Sequence, residues 1–263
     1  MTDKTPAPPP ASYLDGPNGR LAYLGQPGRG QPGSGPGVVW LGGYASDMRG
    51  TKAEAIARWC AARDHAFLRF DYSGHGESEG AFEDGTIGRW AADARAAVAA
   101  LTAGPQVLVG SSMGAWIAGL LARDGGLALA GLLLLAPAPD FTEDLTRRGW
   151  SAEDHARLER DGRIAFPSAY DDTEIVYTKA LFEDGAGHLL LRAPLPVPCP
   201  VRIIQGTADA SVPWTHAVRY AEHMDADNVA CTVVPGADHR LSAPRDIERM
   251  LRTLDGLIAA RPG

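Results

Sequence analysis

Short, uniformly apolar runs recur along the chain and alternate with longer segments of helical periodicity. After a plausible first strand at 19–25, such runs stand at 37–43, 66–74, 106–110, 129–138, 201–206 and 230–238. Runs that are apolar at nearly every position are typical of strands covered on both faces, as in a parallel sheet. The pattern therefore predicts buried, mostly parallel strands.

The segments between these runs carry apolar residues at helical spacing. They lie at 51–64, 86–104, 116–126, 213–224 and 244–260. The last two begin with proline at a position of the first turn, where its missing N–H is not needed. Regular alternation of strand and helix predicts an α/β fold with a doubly wound, mostly parallel sheet.

The alternation breaks between about 140 and 197. Ser151 and Asp154 have capping-box spacing, which predicts a helix over about 152–160, and Asp172 could cap another that runs to about 183. This stretch is rich in aromatic residues: Trp150, Phe166, Tyr170, Tyr177 and Phe182. A helical insertion of this composition predicts a lid over a site at the carboxyl ends of the strands. The alternative is that the insertion only covers the surface of the sheet.

The length of 263 residues is compatible with one domain. The opening "MTDKTPAPPPAS" is proline-rich and polar, so residues 1–12 are predicted to be a flexible tail before a single domain at 13–263. No apolar stretch is long enough to span a membrane, and no targeting pattern is evident. The three cysteines, Cys60, Cys199 and Cys231, are far apart, which favours a reducing compartment. We expect a cytoplasmic protein without a membrane span.

Charge narrows the range of partners. The chain is 45% hydrophobic and carries a formal net charge of −7, and its basic residues are scattered. This argues against nucleic acid or an anionic membrane as the main partner. No spacing of cysteines suggests a metal site, and we expect neither a metal nor a cofactor. The oligomeric state cannot be read from the sequence.

One motif carries a specific chemistry. Residues 110–114 read Gly-Ser-Ser-Met-Gly, which matches G-x-S-x-G centred on Ser112, whereas Ser111 would have Val109 in the place of the first glycine. In a nucleophile elbow, a serine is raised on a tight turn between a strand and a helix, and side chains two residues to either side would collide. Gly110 and Gly114 remove those side chains. The apolar strand before and the helix after supply the context that the motif requires.

A serine nucleophile needs a base and an acid that orients the base. Among seven histidines, His239 follows the last predicted strand and so lies at the same edge of the sheet as Ser112. The chain order Ser, acid, His favours Asp209, in the loop one strand earlier, as the acid. Asp140, which follows the preceding strand, is the alternative, whereas Asp238 adjoins His239 and would point elsewhere.

The anion that forms during acyl transfer needs two backbone donors. The residue after the nucleophile, Met113, supplies one N–H, and the loop "LGGYASD" after the strand at 38–41 supplies the other. We expect Tyr44 to be that second donor, although Gly43 could be no more than a turn glycine. "FDYSGHGESEG" at 70–80 is interpreted as architecture, with Asp71 bracing a turn and His75 in a structural role.

Taken together, "GYASDMRGTKA", "LRFDYSGHGES", "GPQVLVGSSMGAW", "PCPVRIIQGTADASVPW" and "DHR" resemble the α/β-hydrolase superfamily. Within it they resemble the abhydrolase-domain family of palmitoyl-protein thioesterases and mycophenolic acid acyl-glucuronide esterases, from about residue 36 to the end. The resemblance implies an α/β-hydrolase fold and a catalytic triad of Ser112, Asp209 and His239. It also implies ester or thioester substrates, either small molecules or acylated proteins.

The functional hypothesis is therefore a serine esterase or thioesterase that works through an acyl-enzyme. Two alternatives stay open: a ligand-binding homologue without turnover, and another acyl chemistry such as transfer, perhydrolysis or peptide cleavage. Arg49 and Lys52, just past the proposed anion-binding loop, are candidates for contact with the leaving group.

Overall fold

The computed structural model describes residues 9–26, 35–168 and 173–259. The strands are β1 (Ser12–Gly16), β2 (Gly19–Gln26), β3 (Gly37–Leu41), β4 (Phe67–Phe70), β5 (Gln106–Ser111), β6 (Leu129–Leu135), β7 (Arg163–Pro167), β8 (Glu174–Thr178), β9 (Leu195–Pro196), β10 (Val201–Gly206), β11 (Met224–Asp225) and β12 (Val229–Val234). The helices are α1 (Thr51–Ala62), α2 (Ile87–Leu101), α3 (Met113–Asp124), α4 (Phe141–Asp144), α5 (Ala152–Asp161), α6 (Lys179–Gly185), α7 (Trp214–His223) and α8 (Pro244–Ala259).

Within the described ranges, eight strands form one sheet in the order β1-β2-β4-β3-β5-β6-β10-β12. All neighbouring strands from β4 to β12 pair in parallel, and β2 is antiparallel to both of its neighbours. The mostly parallel, doubly wound sheet expected from the sequence is therefore confirmed. Because β5 lies in the middle, all six of its residues are buried.

Helices cover both faces of this sheet. Trp90 of α2 and Trp116 of α3 lie in the cluster on one face, and Ile56 of α1 and Leu254 of α8 lie in the cluster on the other. Burial on both faces explains why the strands read as continuous apolar runs. The loops at the carboxyl ends of the parallel strands then converge at one edge of the sheet.

The chain between β6 and β10 contains more than helices. The helix predicted from Ser151 is present as α5, and its capping box forms. The helix predicted from Asp172 is wrong over 174–178, because these residues form β8, which pairs with β7 as an antiparallel hairpin. Isoleucine, valine, tyrosine and threonine in "EIVYT" favour a strand, and α6 begins only at Lys179, capped by Thr178. Asp172 and Tyr170 lie outside the described residues.

The amino-terminal boundary also differs slightly from the prediction. The strand β1 begins at Ser12, the last residue of the expected tail, and residues 1–8 lie outside the described part. Among the described helices, none is long and apolar enough to cross a membrane.

Candidate active site

Ser112 lies at the junction of β5 and α3 in a strained backbone conformation. Its φ of 53° and ψ of −114° are unusual for a residue with a side chain. The turn is held by hydrogen bonds from Ser112 N–H to the Leu135 carbonyl (2.9 Å) and from Ala138 N–H to the Ser112 carbonyl (3.2 Å). Ser112 is partly exposed, whereas Ser111 is buried. The accessible hydroxyl at the elbow is therefore that of Ser112.

The two glycines of the motif are required for steric reasons. A methyl group built on Gly114 would overlap the carbonyl oxygen of Leu41, and it would lie 2.5 Å from that of Gly42. A methyl group on Gly110 would overlap the Gly114 carbonyl and lie 2.7 Å from the Ala115 Cα. All these neighbours are backbone atoms, so neither site can give way to a side chain.

The structure brings Ser112, His239 and Asp209 together from three loops. His239 Nε2 lies 3.1 Å from Ser112 Oγ, and His239 Nδ1 lies 2.7 Å from Asp209 Oδ2. The turn after β10 places Asp209, and the turn after β12 places His239. The series hydroxyl, imidazole and carboxylate has the geometry of a nucleophile, its base and the group that orients the base.

The carboxylate of Asp209 is buried and fully engaged. Its Oδ1 accepts hydrogen bonds from the backbone N–H groups of Ser211 (2.9 Å) and Val212 (2.8 Å), and Oδ2 also accepts one from the Gln205 amide (2.9 Å). Burial acts to raise the pKa of Asp209, but the His239 ring and these donors outweigh it and hold the pKa below its usual range. Asp209 is thus kept ionised beside the imidazole.

Asp140, the alternative acid, accepts hydrogen bonds from another part of the fold. Its carboxylate accepts hydrogen bonds from the backbone N–H groups of Leu190 (2.7 Å) and Leu191 (2.9 Å) and lies 3.3 Å from Arg192. It is fully buried at the start of α4 and fastens the segment after α6 to the end of β6. The geometry therefore pairs His239 with Asp209 and gives Asp140 a place in the scaffold.

The loop after β3 lies directly against the elbow. A methyl group built on Gly43 would lie 3.4 Å from the Ser111 carbonyl oxygen and 3.6 Å from Ser112 Cβ. Tyr44 follows at once, and Met113 begins α3 on the other side of the serine. Met113, which follows the serine in the chain, and Tyr44, which follows Gly43 in the neighbouring loop, are the two expected N–H donors. Their role in binding an anion stays a prediction.

A cleft of about 730 Å³ opens over Ser112 and His239. The insertion contributes apolar side chains to it, among them Leu145, Trp150, Phe166 and Tyr177. The opposite wall is polar and comes from the loop after β3, the start of α1 and the histidine loop, with Ser46, Asp47, Lys52 and Arg240. The cleft can therefore hold a molecule with one apolar and one polar part.

The structure places Lys52 and Arg49, the two basic candidates for contact with the leaving group, in different surroundings. Lys52 lines the cleft, and its ammonium donates a hydrogen bond to the Arg240 carbonyl (2.5 Å), next to His239. Burial lowers the pKa of Lys52 to about 8. Arg49 instead forms an ion pair with Glu77 (2.8 Å) and donates to the Pro9 carbonyl (3.0 Å). Of the two, Lys52 is the one at the cleft.

Sequence reasoning missed two features near the site: the β7–β8 hairpin and the aromatic packing of Tyr44 beneath it. The alternation of β-branched and aromatic residues in "RIAFP" and "EIVYT" is the signal that could have revealed the hairpin. No pattern in the sequence shows the contacts of Tyr44. Among the described residues, no cluster of three or more His, Cys, Asp or Glu side chains could hold a metal ion.

Comparison with known proteins extends across nearly the whole chain. The alpha/beta hydrolase family model matches residues 20–251. Human palmitoyl-protein thioesterase ABHD10, described as mitochondrial, is 35% identical over 230 residues, which cover 86% of this chain and 74% of that protein. The crystal structure of a protein assigned to the hydrolases from Agrobacterium vitis S4 is 39% identical, with a TM-score of 0.89, and covers 96% of this chain and 100% of that one. Mouse alpha/beta hydrolase domain-containing protein 10 is 32% identical, with a TM-score of 0.85, over 94% of this chain and 98% of that one.

Proposed function

Because the chain belongs to the alpha/beta hydrolase family, we propose that it is a serine hydrolase that cleaves carboxylic esters or thioesters. The observation that carries this proposal is the hydrogen-bonded series from Ser112 Oγ through the His239 ring to the Asp209 carboxylate. A hydroxyl, an imidazole and a buried carboxylate in this order form a nucleophile that a neighbouring base can activate.

In the proposed reaction, His239 Nε2 takes the proton of Ser112 Oγ as the oxygen attacks the acyl carbonyl carbon. The backbone N–H groups of Tyr44 and Met113 stabilise the negative charge that develops on the carbonyl oxygen. The imidazolium then protonates the leaving thiol or alcohol, and an acyl-serine ester remains. Water, deprotonated by the same imidazole, hydrolyses this ester and restores the serine.

The two walls of the cleft suggest how a substrate is oriented. The apolar wall of the insertion suits an acyl chain, and the polar wall suits a leaving group. We propose that the insertion acts as a lid on a single domain. Likeness to the palmitoyl-protein thioesterases supports thioester substrates, including acylated cysteines. An acyl glucuronide, which the resemblance in the sequence implies, is a further candidate. The cytoplasmic location expected from the sequence stays a prediction, since the mammalian relatives are described as mitochondrial.

The test is covalent labelling with a fluorophosphonate probe. The wild-type protein should be labelled and Ser112→Ala should not, with Ser111→Ala as the matched control that keeps the label. A wild type that hydrolyses esters without being labelled would overturn the proposal, and so would label retained in Ser112→Ala. p-Nitrophenyl esters of increasing chain length, measured beside matched thioesters, then define the acyl chain and the leaving group.

A further inference from the structure

The side chain of Tyr44 joins the loop beside the nucleophile to the hairpin of the insertion. Its phenol donates a hydrogen bond to the carbonyl of Val176 in β8 (2.5 Å). Its ring stacks on that of Tyr177, the next residue of the strand, with centroids 5.5 Å apart and planes 10° from parallel. One residue therefore makes a polar and an aromatic contact with the same strand, 132 positions away in the chain.

Other rings hold Tyr44 from the sides. Phe82, Trp90 and Phe141 contact it edge to face, with centroids 4.9 to 5.8 Å away. Burial raises the pKa of the Tyr44 phenol above its usual range. A phenylalanine would fill the same aromatic site without desolvating a hydroxyl, so packing alone does not require the phenol. The hydroxyl is accounted for by its hydrogen bond to β8.

The backbone around Tyr44 needs such support. Ala45, the next residue, has a φ of 53°, a conformation that costs about 1 kcal/mol for a residue with a side chain. Inside the turn, the hydroxyl (2.8 Å) and the backbone N–H (3.3 Å) of Ser46 both donate to the Gly43 carbonyl. Gly43 itself lies against the elbow. A small shift of Tyr44 would therefore move its N–H relative to Ser112.

We propose that the Tyr44 side chain is a positioning residue that fastens the anion-binding loop to the β7–β8 hairpin, so that the insertion helps to set the geometry of the oxyanion hole. This inference rests on the proposed function, and it adds a role to the hairpin beyond covering the acyl chain. An N–H donor stabilises the tetrahedral transition state only when it is fixed at the position that the oxyanion will occupy. The contacts of Tyr44 supply that fixation from the hairpin side.

The test compares Tyr44→Phe with Tyr72→Phe. Tyr72 is a buried tyrosine whose hydroxyl has no hydrogen-bond partner among the described residues, which makes it a matched control. Hydrolysis of p-nitrophenyl acetate gives kcat and KM, and an alkyl trifluoromethyl ketone, which forms an anionic hemiketal with the serine, gives a Ki. Thermal unfolding of each variant reports on stability.

In Tyr44→Phe we expect kcat to fall about tenfold with KM within twofold, less than the 10²- to 10³-fold that loss of a whole donor costs. The Ki of the ketone should rise by the same factor, and Tyr72→Phe should change neither. Wild-type kcat and Ki in Tyr44→Phe would overturn the inference, as would a fall in kcat without a change in Ki. A wild type that is neither active nor labelled by fluorophosphonate would instead overturn the proposed function.

Discussion

The two walls of the cleft are built in different ways. The side chains proposed to react lie at the ends of β5, β10 and β12 of the main sheet, where β5 and β10 are largely buried and β12 is an edge strand. Backbone hydrogen bonds hold the elbow and the Asp209 carboxylate. The insertion instead packs around a small cluster of its own, with Leu158, Ile164 and Phe182 at its centre. The sheet thus holds the side chains proposed to react, while the proposed acyl-chain wall packs partly on this satellite cluster and meets the loop beside the nucleophile through Tyr44.

The largest expected effect concerns the residues proposed to react, which the main sheet holds. Asp209→Asn should lower kcat for ester hydrolysis by about 10⁴-fold, because an amide favours the wrong tautomer of the imidazole. Asp140→Asn is the matched control, since it weakens the hold on the segment of Leu190 and Leu191 and should lower the unfolding temperature more than kcat. Near-normal turnover in Asp209→Asn together with loss in Asp140→Asn would reverse the two assignments.

A second prediction concerns the rigidity of the elbow. Gly114→Ala should lower the free energy of unfolding by several kcal/mol or prevent folding, because the added methyl group meets the backbone of β3. Gly256→Ala in α8 is the control, since nothing lies within 4 Å of the added carbon, and it should stabilise the protein by about 0.5–1 kcal/mol. Thermal and urea unfolding measure both. A stable, active Gly114→Ala would show that the elbow can yield.

A third prediction concerns the buried aromatic cluster around His75. His75 lies among Tyr72, Phe82 and Trp90, and burial lowers its pKa to about 4 from an ordinary 6.5. Between these values the unfolded chain binds a proton that the folded protein does not. The contribution of His75 to stability should therefore fall as the pH decreases from 6.5 to 4, by on the order of 3 kcal/mol.

His75→Phe should remove this part of the pH dependence, measured as urea unfolding at a series of pH values. Asp71, whose pKa burial raises to about 6, titrates in the same window in both proteins and cancels in the difference. Identical pH slopes for the wild type and His75→Phe would show that His75 is not buried in its neutral form.

The smallest expected effect concerns the insertion, which is proposed to act as a lid. Trp150→Ala should lower kcat/KM for long-chain p-nitrophenyl esters about three- to tenfold, because the cleft loses apolar surface against the chain. The acetate ester, which does not reach that wall, should keep its kcat/KM within twofold. Equal losses for acetate and long-chain esters would indicate that the insertion supports the reacting groups more than it selects the chain.

Much of the fold was predictable because strands covered on both faces leave a strong signal. The strand at 201–206 was predicted with its observed bounds, and α1, α2, α7 and α8 were placed within three residues at each end. The segment 172–183 was predicted as a helix, and its described residues from Glu174 onward form a strand followed by a helix. This strand pairs with β7, and such pairing does not follow from helical spacing or from a cap residue alone. The tertiary contact between β7 and β8 decided that this segment begins as a strand.

The sequence by itself determined the elbow, the order along the chain of the residues proposed to react, and the class of fold. These follow from local sterics at Gly110 and Gly114 and from apolar runs that only a covered sheet can bury. The tertiary structure decided which carboxylate reaches His239, which cation faces the cleft, and what Tyr44 touches. Such choices depend on distances between residues far apart in the chain, and these distances exist only once the sheet has brought its loops to a common edge.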